Sequence, residues 1–156
     1  MLDRDDLLRL VVSPEGDAKT DAFVTERIYA FNAAATGYTD AQSFTAAFEN
    51  GDGEIAAGLT GYTWGGCCYI SYLWVAEPYR SKGFGAKLLH AAESHALAKN
   101  CRQILLCSHS FQAPSFYLKQ GFHQVARIED YPLGHADIFL AKRLHPHPTS
   151  NTGQET

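Results

Sequence analysis

The residues with most chemical promise in this chain lie close together. In the stretch YRSKGFGAKLL, from Tyr79 to Leu89, the cations Arg80 and Lys82 precede Gly83 and Gly85, and a helix-like pattern follows at once. Glycines at such a place let backbone N–H groups approach an anion, and the start of a helix carries partial positive charge that favours one. The same residues also suit a tight loop with positive φ at Gly83 and no ligand, and the stretch alone leaves both readings open. As a phosphate site it matches neither common nucleotide fingerprint. Ala86-Lys87-Leu88 follows Gly85, so the hydroxyl of a Walker loop is missing. Leu88 stands where a dinucleotide turn needs its third small residue, and Arg102 to Leu105 supplies no acid for a ribose.

Other reactive residue types are less patterned. Cys67, Cys68, Cys101 and Cys107 form no C-x-x-C, and three of them sit in apolar strand-like runs, so they read as small buried hydrophobes. The seven histidines show no metal-ligand spacing, and no metal site is expected. The 156 residues are 46% hydrophobic with a net charge of -4, which suits one soluble domain and argues against nucleic acid as a partner. No apolar run is long enough for a membrane span, and MLDRDDLLRL lacks the apolar stretch of a signal peptide; a cytoplasmic protein without membrane contact is expected.

The elements that must position these residues follow from periodicity. Leu7 to Val12 reads as a first strand. A helix from Thr20 or Asp21 carries Phe23, Val24, Ile28 and Phe31 on one face and stops at Gly37. A short second helix is expected after Thr39 or Asp40, with Phe44, Ala47 and Phe48 on its face, ending near Asn50-Gly51. Strand patterns follow over Glu54–Leu59 and through Thr60, Tyr62 and Trp64, then a Gly65-Gly66 hairpin and the long run Cys67–Val75. An amphipathic helix runs from Gly85 to Asn100, then a buried strand at Ile104–Cys107, a helix at Gln112–Gln120, and strands at Phe122–Ile128 and Ala136–Arg143. The order β-α-α-β-β-β-α-β-α-β-β predicts an α+β fold with a mixed sheet of six to seven strands and helices on both faces. One domain over residues 1–144 and a disordered tail over 145–156 are expected.

The pattern Arg80-x-x-Gly83-x-Gly85 within LWVAEPYRSKGFGAKLL resembles motif A of the GNAT acyl-CoA-dependent N-acetyltransferases. SFQAPSFYLKQGF, from Ser110 to Phe122, resembles that family's N-x-x-A-x-x-x-Y-x-x-x-G-F signature through Ala113, Tyr117, Gly121 and Phe122. The element order is similar too, so the resemblance spans roughly Leu7 to Leu144. Two positions depart: Ser110 replaces the usual Asn, and Ser81 stands where Gly is common.

The resemblance implies acetyl-CoA as cosubstrate, a mostly antiparallel sheet, and a bulged strand at Tyr72–Val75 that splays from the parallel strand beside it. It implies a pantetheine arm along Leu73, Trp74 and Val75 and a pyrophosphate on the amides of Arg80, Ser81, Lys82, Gly83, Phe84, Gly85 and Ala86, with Ser110, Ala113 and Tyr117 farther along the cofactor. It assigns Val75 N–H to the thioester oxygen and Tyr117 to the leaving thiolate. The acceptor would be an amine of a small molecule or a peptide, in a pocket expected to include Phe31, Tyr62, Trp64, Tyr72, His109 and Tyr131. Glu77, His109, Asp137 or a water could take the amine's proton. A non-catalytic acyl-CoA-binding module on the same fold is the alternative, and a homodimer is common in the family.

Overall fold

The computed structural model describes residues 8–145, so Leu7 and the tail beyond His145 lie outside the described residues. Those described fall into two compact units, one up to Tyr38 and one from Thr39. The first unit holds helix α1 (Ala18–Thr36). Asp17 caps it: its Oδ2 accepts from the N–H of Thr20 at 2.8 Å and from its hydroxyl at 2.6 Å. These bonds hold the Asp17 carboxyl below its ordinary pKa, the Thr20 hydroxyl first. The cap lies ahead of Thr20 and Asp21 because the Asp17 carboxylate reaches the N–H three residues on, across the first turn. Residues 8–12 form no strand, in contrast to the expectation from LLRLVV: an extended apolar run becomes a strand only with a ladder partner, and it has none among the described residues.

The second unit is built on a six-stranded sheet, in the order β1-β2-β3-β4-β6-β5. Its strands are β1 (Gln42–Glu49), β2 (Ile55–Trp64), β3 (Cys67–Val75), β4 (Gln103–His109), β5 (His123–Glu129) and β6 (Ala136–Arg143). A 3-10 turn at Glu77–Tyr79 and helix α2 (Phe84–Ala98) follow β3, and helix α3 (Pro114–Lys119) follows β4. Among these strands β3 and β4 pair in parallel, and every other pair of neighbours is antiparallel. Among the described residues no helix is long and apolar enough to cross a membrane.

Two sequence expectations change here. The segment after Thr39 is strand β1, not a helix, and Ile55–Trp64 forms one strand rather than two. In β1 the half-buried residues alternate, Phe44, Ala46 and Phe48, with exposed neighbours between them. The same segment also satisfies a helical i, i+3, i+4 stripe through Phe44, Ala47 and Phe48, so short-range pattern cannot separate the two. Packing decides: Phe44 stacks on His95 at 4.4 Å and Phe48 meets Phe84 edge-on at 5.0 Å, both on α2.

The core lies between the sheet and α2. Leu88, Leu89, Ala92 and Ala96 of α2 pack with Leu59, Cys68, Ile104, Leu106 and Leu140 of the strands, all nearly inaccessible. Each large aliphatic side chain so buried contributes about 1.5–3 kcal/mol. Lys142 on β6 donates to Glu93 on α2 at 2.5 Å and to the Gln120 carbonyl after α3 at 2.8 Å, tying both helices to one strand.

The β2–β3 ladder carries an irregularity. Its residues pair in constant register from Ala57 with Val75 to Thr60 with Tyr72, but Gly61 then faces Ile70. Ser71 is therefore an extra residue, a β-bulge. Gly61 sits opposite it in close quarters: a Cβ there would fall against the Tyr69 carbonyl oxygen and the Phe44 ring. Backbone cannot yield cheaply, so Gly61→Ala should lower the thermal midpoint by about 5 °C. An unchanged midpoint in a thermal melt would show that the bulge is not tightly held.

Candidate active site

The bulge sets a gap in the sheet. The parallel β3–β4 ladder runs from Cys67 with Gln103 to Ile70 with Leu106 and goes no farther, so the strands part beyond Ile70. Ladder alternation then says where the backbone of Leu73 and Val75 points. Ala76 N–H donates to the Ala56 carbonyl at 2.9 Å. Val75 and Leu73 therefore fall at non-hydrogen-bonded pairs with β2 and turn their N–H and C=O groups toward the gap. The Val75 carbonyl accepts from Arg80 Nε at 3.0 Å, which anchors the loop to the strand end. Val75 N–H and both groups of Leu73 remain as an open strand edge.

That edge leads to the start of α2. The first bond into the helix is from Lys87 N–H to the Gly83 carbonyl, at 3.1 Å. The N–H groups of Phe84, Gly85 and Ala86 thus have no helical acceptor, and no side chain caps them. Gly83 adopts φ +84°, in the left-handed region that glycine tolerates best, and Ser81 shares that region at φ 59°. Gly85 has a different reason to be small: a Cβ there would come 3.1 Å from the Phe116 ring. Its absence lets the first turn of α2 meet α3.

A cleft of about 1030 Å³ joins these parts. Its walls come from 70–75 of β3, 106–108 of β4, the loop and helix start over 79–81 and 83–86, and residues 111–113 with Phe116, Tyr117 and Gln120. Consecutive residues of β4 line it. Leu106 and Ser108 belong to the core face, while Cys107 belongs to the opposite one. Tyr117 is buried, and burial raises its phenol above the ordinary tyrosine pKa, so it is a protonated donor at neutral pH.

On the sheet face away from α2 lies a row of polar and aromatic side chains, Tyr62, Tyr69, His109 and Asp137, none of which lines the cleft itself. Tyr62 stacks on Tyr69 at 5.5 Å, and the Tyr69 hydroxyl lies 3.5 Å from Cys107 Sγ. That contact and burial push the Tyr69 phenol up. His109 and Asp137 are direct register partners on β4 and β6, with Nδ1 and Oδ1 3.5 Å apart.

This geometry has known relatives. Residues 5–122 match the acetyltransferase (GNAT) family. The chain belongs to the GNAT acetyltransferase family. An acetyltransferase of Agrobacterium fabrum is 27% identical over 137 residues, which cover 88% of this chain and all of the relative. The blasticidin-S acetyltransferase of Streptomyces morookaense is 36% identical over 93 residues, covering 59% of this chain and 68% of that one. The crystal structure of an acetyltransferase from Bacillus cereus superposes with a TM-score of 0.76 at 33% identity, covering 87% of this chain and 98% of that one. The protein is thus an acetyl-CoA-dependent acetyltransferase.

Within this GNAT acetyltransferase the residues singled out from sequence scatter unevenly. Leu73, Trp74, Val75, Arg80, Ser81, Gly83, Phe84, Gly85, Ala86, Ala113, Tyr117 and Tyr72 line the cleft. Lys82 does not; its ammonium lies 5.9 Å from the Tyr79 ring centroid. Ser110 is also absent from the walls. Its hydroxyl accepts from Ala136 N–H at 3.1 Å, spending it on the start of β6. Trp64 pairs with Cys67 at the far end of β3 from Val75, so the hairpin carries it away from the gap. Glu77 begins the 3-10 turn, and Phe31 lies on α1 in the first unit. His109, Asp137 and Tyr131 cluster, with the Tyr131 ring edge-on to His109 at 5.6 Å.

Sequence reasoning missed Phe111, Gln112 and Gln120 as cleft residues. Gln112 accepts from His109 N–H through Oε1 at 2.9 Å, a loop bond with no sequence signal. The raised phenol is open to a direct check. The share of stability tied to neutral Tyr117 should be present below the ordinary tyrosine pKa and lost as pH rises through the higher folded value. Tyr117→Phe should remove one late-ionising phenol from an alkaline absorbance titration; an unaltered late phase would place that phenol elsewhere.

Proposed function

We propose that this acetyltransferase moves the acetyl group of acetyl-CoA directly onto a primary amine of a small molecule, with the cosubstrate threaded through the β3–β4 gap. The observation that carries this is the continuity of the open edge at Leu73 and Val75 with the uncapped amides of α2. An extended amide-bearing arm can bond Leu73 and Val75 as an added strand would. A pyrophosphate suits the loop from Arg80 to Ala86, where free N–H groups and the helix dipole converge and Gly83 permits the turn. The guanidinium of Arg80, fixed through Nε to Val75, keeps its other nitrogens for the same anion.

The chemistry of this reading asks three things of the chain. The thioester oxygen gains charge as the amine adds, and Val75 N–H faces the place where it would sit. The departing thiolate needs a proton, and Tyr117 holds one in the cleft. The acceptor must lose a proton, because an alkylamine is mostly ammonium at neutral pH. The named activity of the Streptomyces relative supports a small-molecule amine as acceptor.

A thiol-release assay with acetyl-CoA tests the reading against blasticidin S, an aminoglycoside, a simple diamine and a short peptide with a free N-terminus. Thiol release with one of the first three is expected. Turnover of the peptide alone would move the acceptor class, and none at all despite coenzyme A binding would sink amine transfer. Tyr117→Phe should lower kcat by about tenfold or more with coenzyme A affinity little changed; an unchanged kcat removes the phenol from the reaction. Gly83→Val should weaken coenzyme A binding in calorimetry by about tenfold or more while the circular dichroism spectrum is kept, because a β-branched residue resists φ near +84°. Normal affinity would refute the loop as the anion site.

A further inference from the structure

His109 Nδ1 and Asp137 Oδ1 are both shut off from solvent, and neither has a hydrogen-bond partner among the described residues. Yet they face each other at 3.5 Å across the β4–β6 register. A buried polar atom left unpaired is costly, so both gain by one shared proton. The available proton is on Nδ1, because an ionised carboxylate can only accept. That choice leaves the lone pair on Nε2. The imidazole is 29% exposed, and its buried nitrogen is Nδ1, so Nε2 is on the accessible side. The ring is held in place: Phe111 stacks on it at 5.3 Å with a 15° tilt, and Tyr131 meets it edge-on.

The dyad does not itself line the cleft, but His109 stacks on a residue that does. His109 shares the face of Cys107, opposite the core face against which α2 packs. Phe111, its stacking partner, and Cys107 both line the cleft. A cosubstrate entering from the α2 side and an acceptor on the His109 side would meet in the gap between β3 and β4.

We propose that His109, oriented by Asp137, is the general base of this transferase. This rests on the amine-transfer reading of the site. Nε2 takes a proton from the acceptor ammonium, and the freed nitrogen lone pair forms the C–N bond to the thioester carbonyl. The C–S bond breaks, and the thiolate leaves with the proton of Tyr117. The second nitrogen proton restores the phenol, and His109 releases its own to solvent. The other titratable groups around the dyad are Cys107 on the same strand, Tyr69 on β3, and Tyr131 and His135 in the β5–β6 turn, His135 lying edge-on to Phe111. Asp137 acts only through His109 and is a positioning residue.

Two measurements test this. The first needs no substrate. Long-range nitrogen–proton NMR on the labelled protein, with His109→Gln assigning the signal, should find the neutral His109 ring protonated at Nδ1. Asp137→Ala should lose that bias while thermal melting and coenzyme A binding show a folded protein. A wild-type ring protonated at Nε2 overturns the dyad and leaves the transferase reading untouched. The second uses whichever amine of the thiol-release panel is turned over. His109→Gln should lower kcat/KM by about 100-fold at pH 7, the deficit shrinking by about tenfold per pH unit and closing near about pH 9 as free amine replaces ammonium. A deficit that stays constant with pH makes His109 merely structural and overturns the proposal. Failure of every amine with wild type sinks the transferase reading, and the base role with it.

Discussion

Everything in this site depends on a hydrogen-bond ladder that stops. Beyond Ile70, β3 and β4 no longer exchange backbone bonds, and the bulge at Ser71 turns β3 away from its parallel neighbour. In an ordinary sheet the groups of Leu73 and Val75 would be spent on β4. Here Val75 N–H and both groups of Leu73 are left unpaired at the centre of the sheet, where an open edge is costly unless something completes it. A ligand with amide groups of its own is the natural completion.

The rest of the second unit holds that gap open without collapse. α2 spans the core from β1 to β4 and starts at the gap, so its rigid packing fixes where its free N–H groups lie. Lys142 fastens both α2 and the end of α3 to β6, and the small Gly85 lets Phe116 close the contact between the helices. The register of β4 with β6 does a separate job: it sets His109 directly against Asp137.

The sequence was legible where one period dominates and where a motif has a backbone reason. The long β3 run, the α2 stripe and β6 appear almost where their patterns place them. The element after Thr39 was not legible, because Phe44, Ala46, Ala47 and Phe48 satisfy two periods and only the rings on α2 choose between them. Of the site, the glycine turn and Tyr117 could be found from spacing and family resemblance. The side of the sheet facing His109 could not: Cys107, Phe111 and Asp137 come together through strand register and a turn, neither of which leaves a local mark. Ser110 shows the reverse case, a motif position whose side chain is spent on Ala136 instead.

Cys107 puts sulfur in the wall of the cleft proposed to hold the thioester. A thiolate there would compete for the acyl group by transthioesterification, trapping it on the protein. Burial, first of all, raises the Cys107 thiol against the opposing contact with the Tyr69 hydroxyl, and the negative charge of Asp137 adds to the rise. A thiol that keeps its proton is a poor nucleophile. Such a wall would stay chemically silent beside a labile acyl donor, and acyl flow would go to the incoming acceptor rather than be lost to the enzyme.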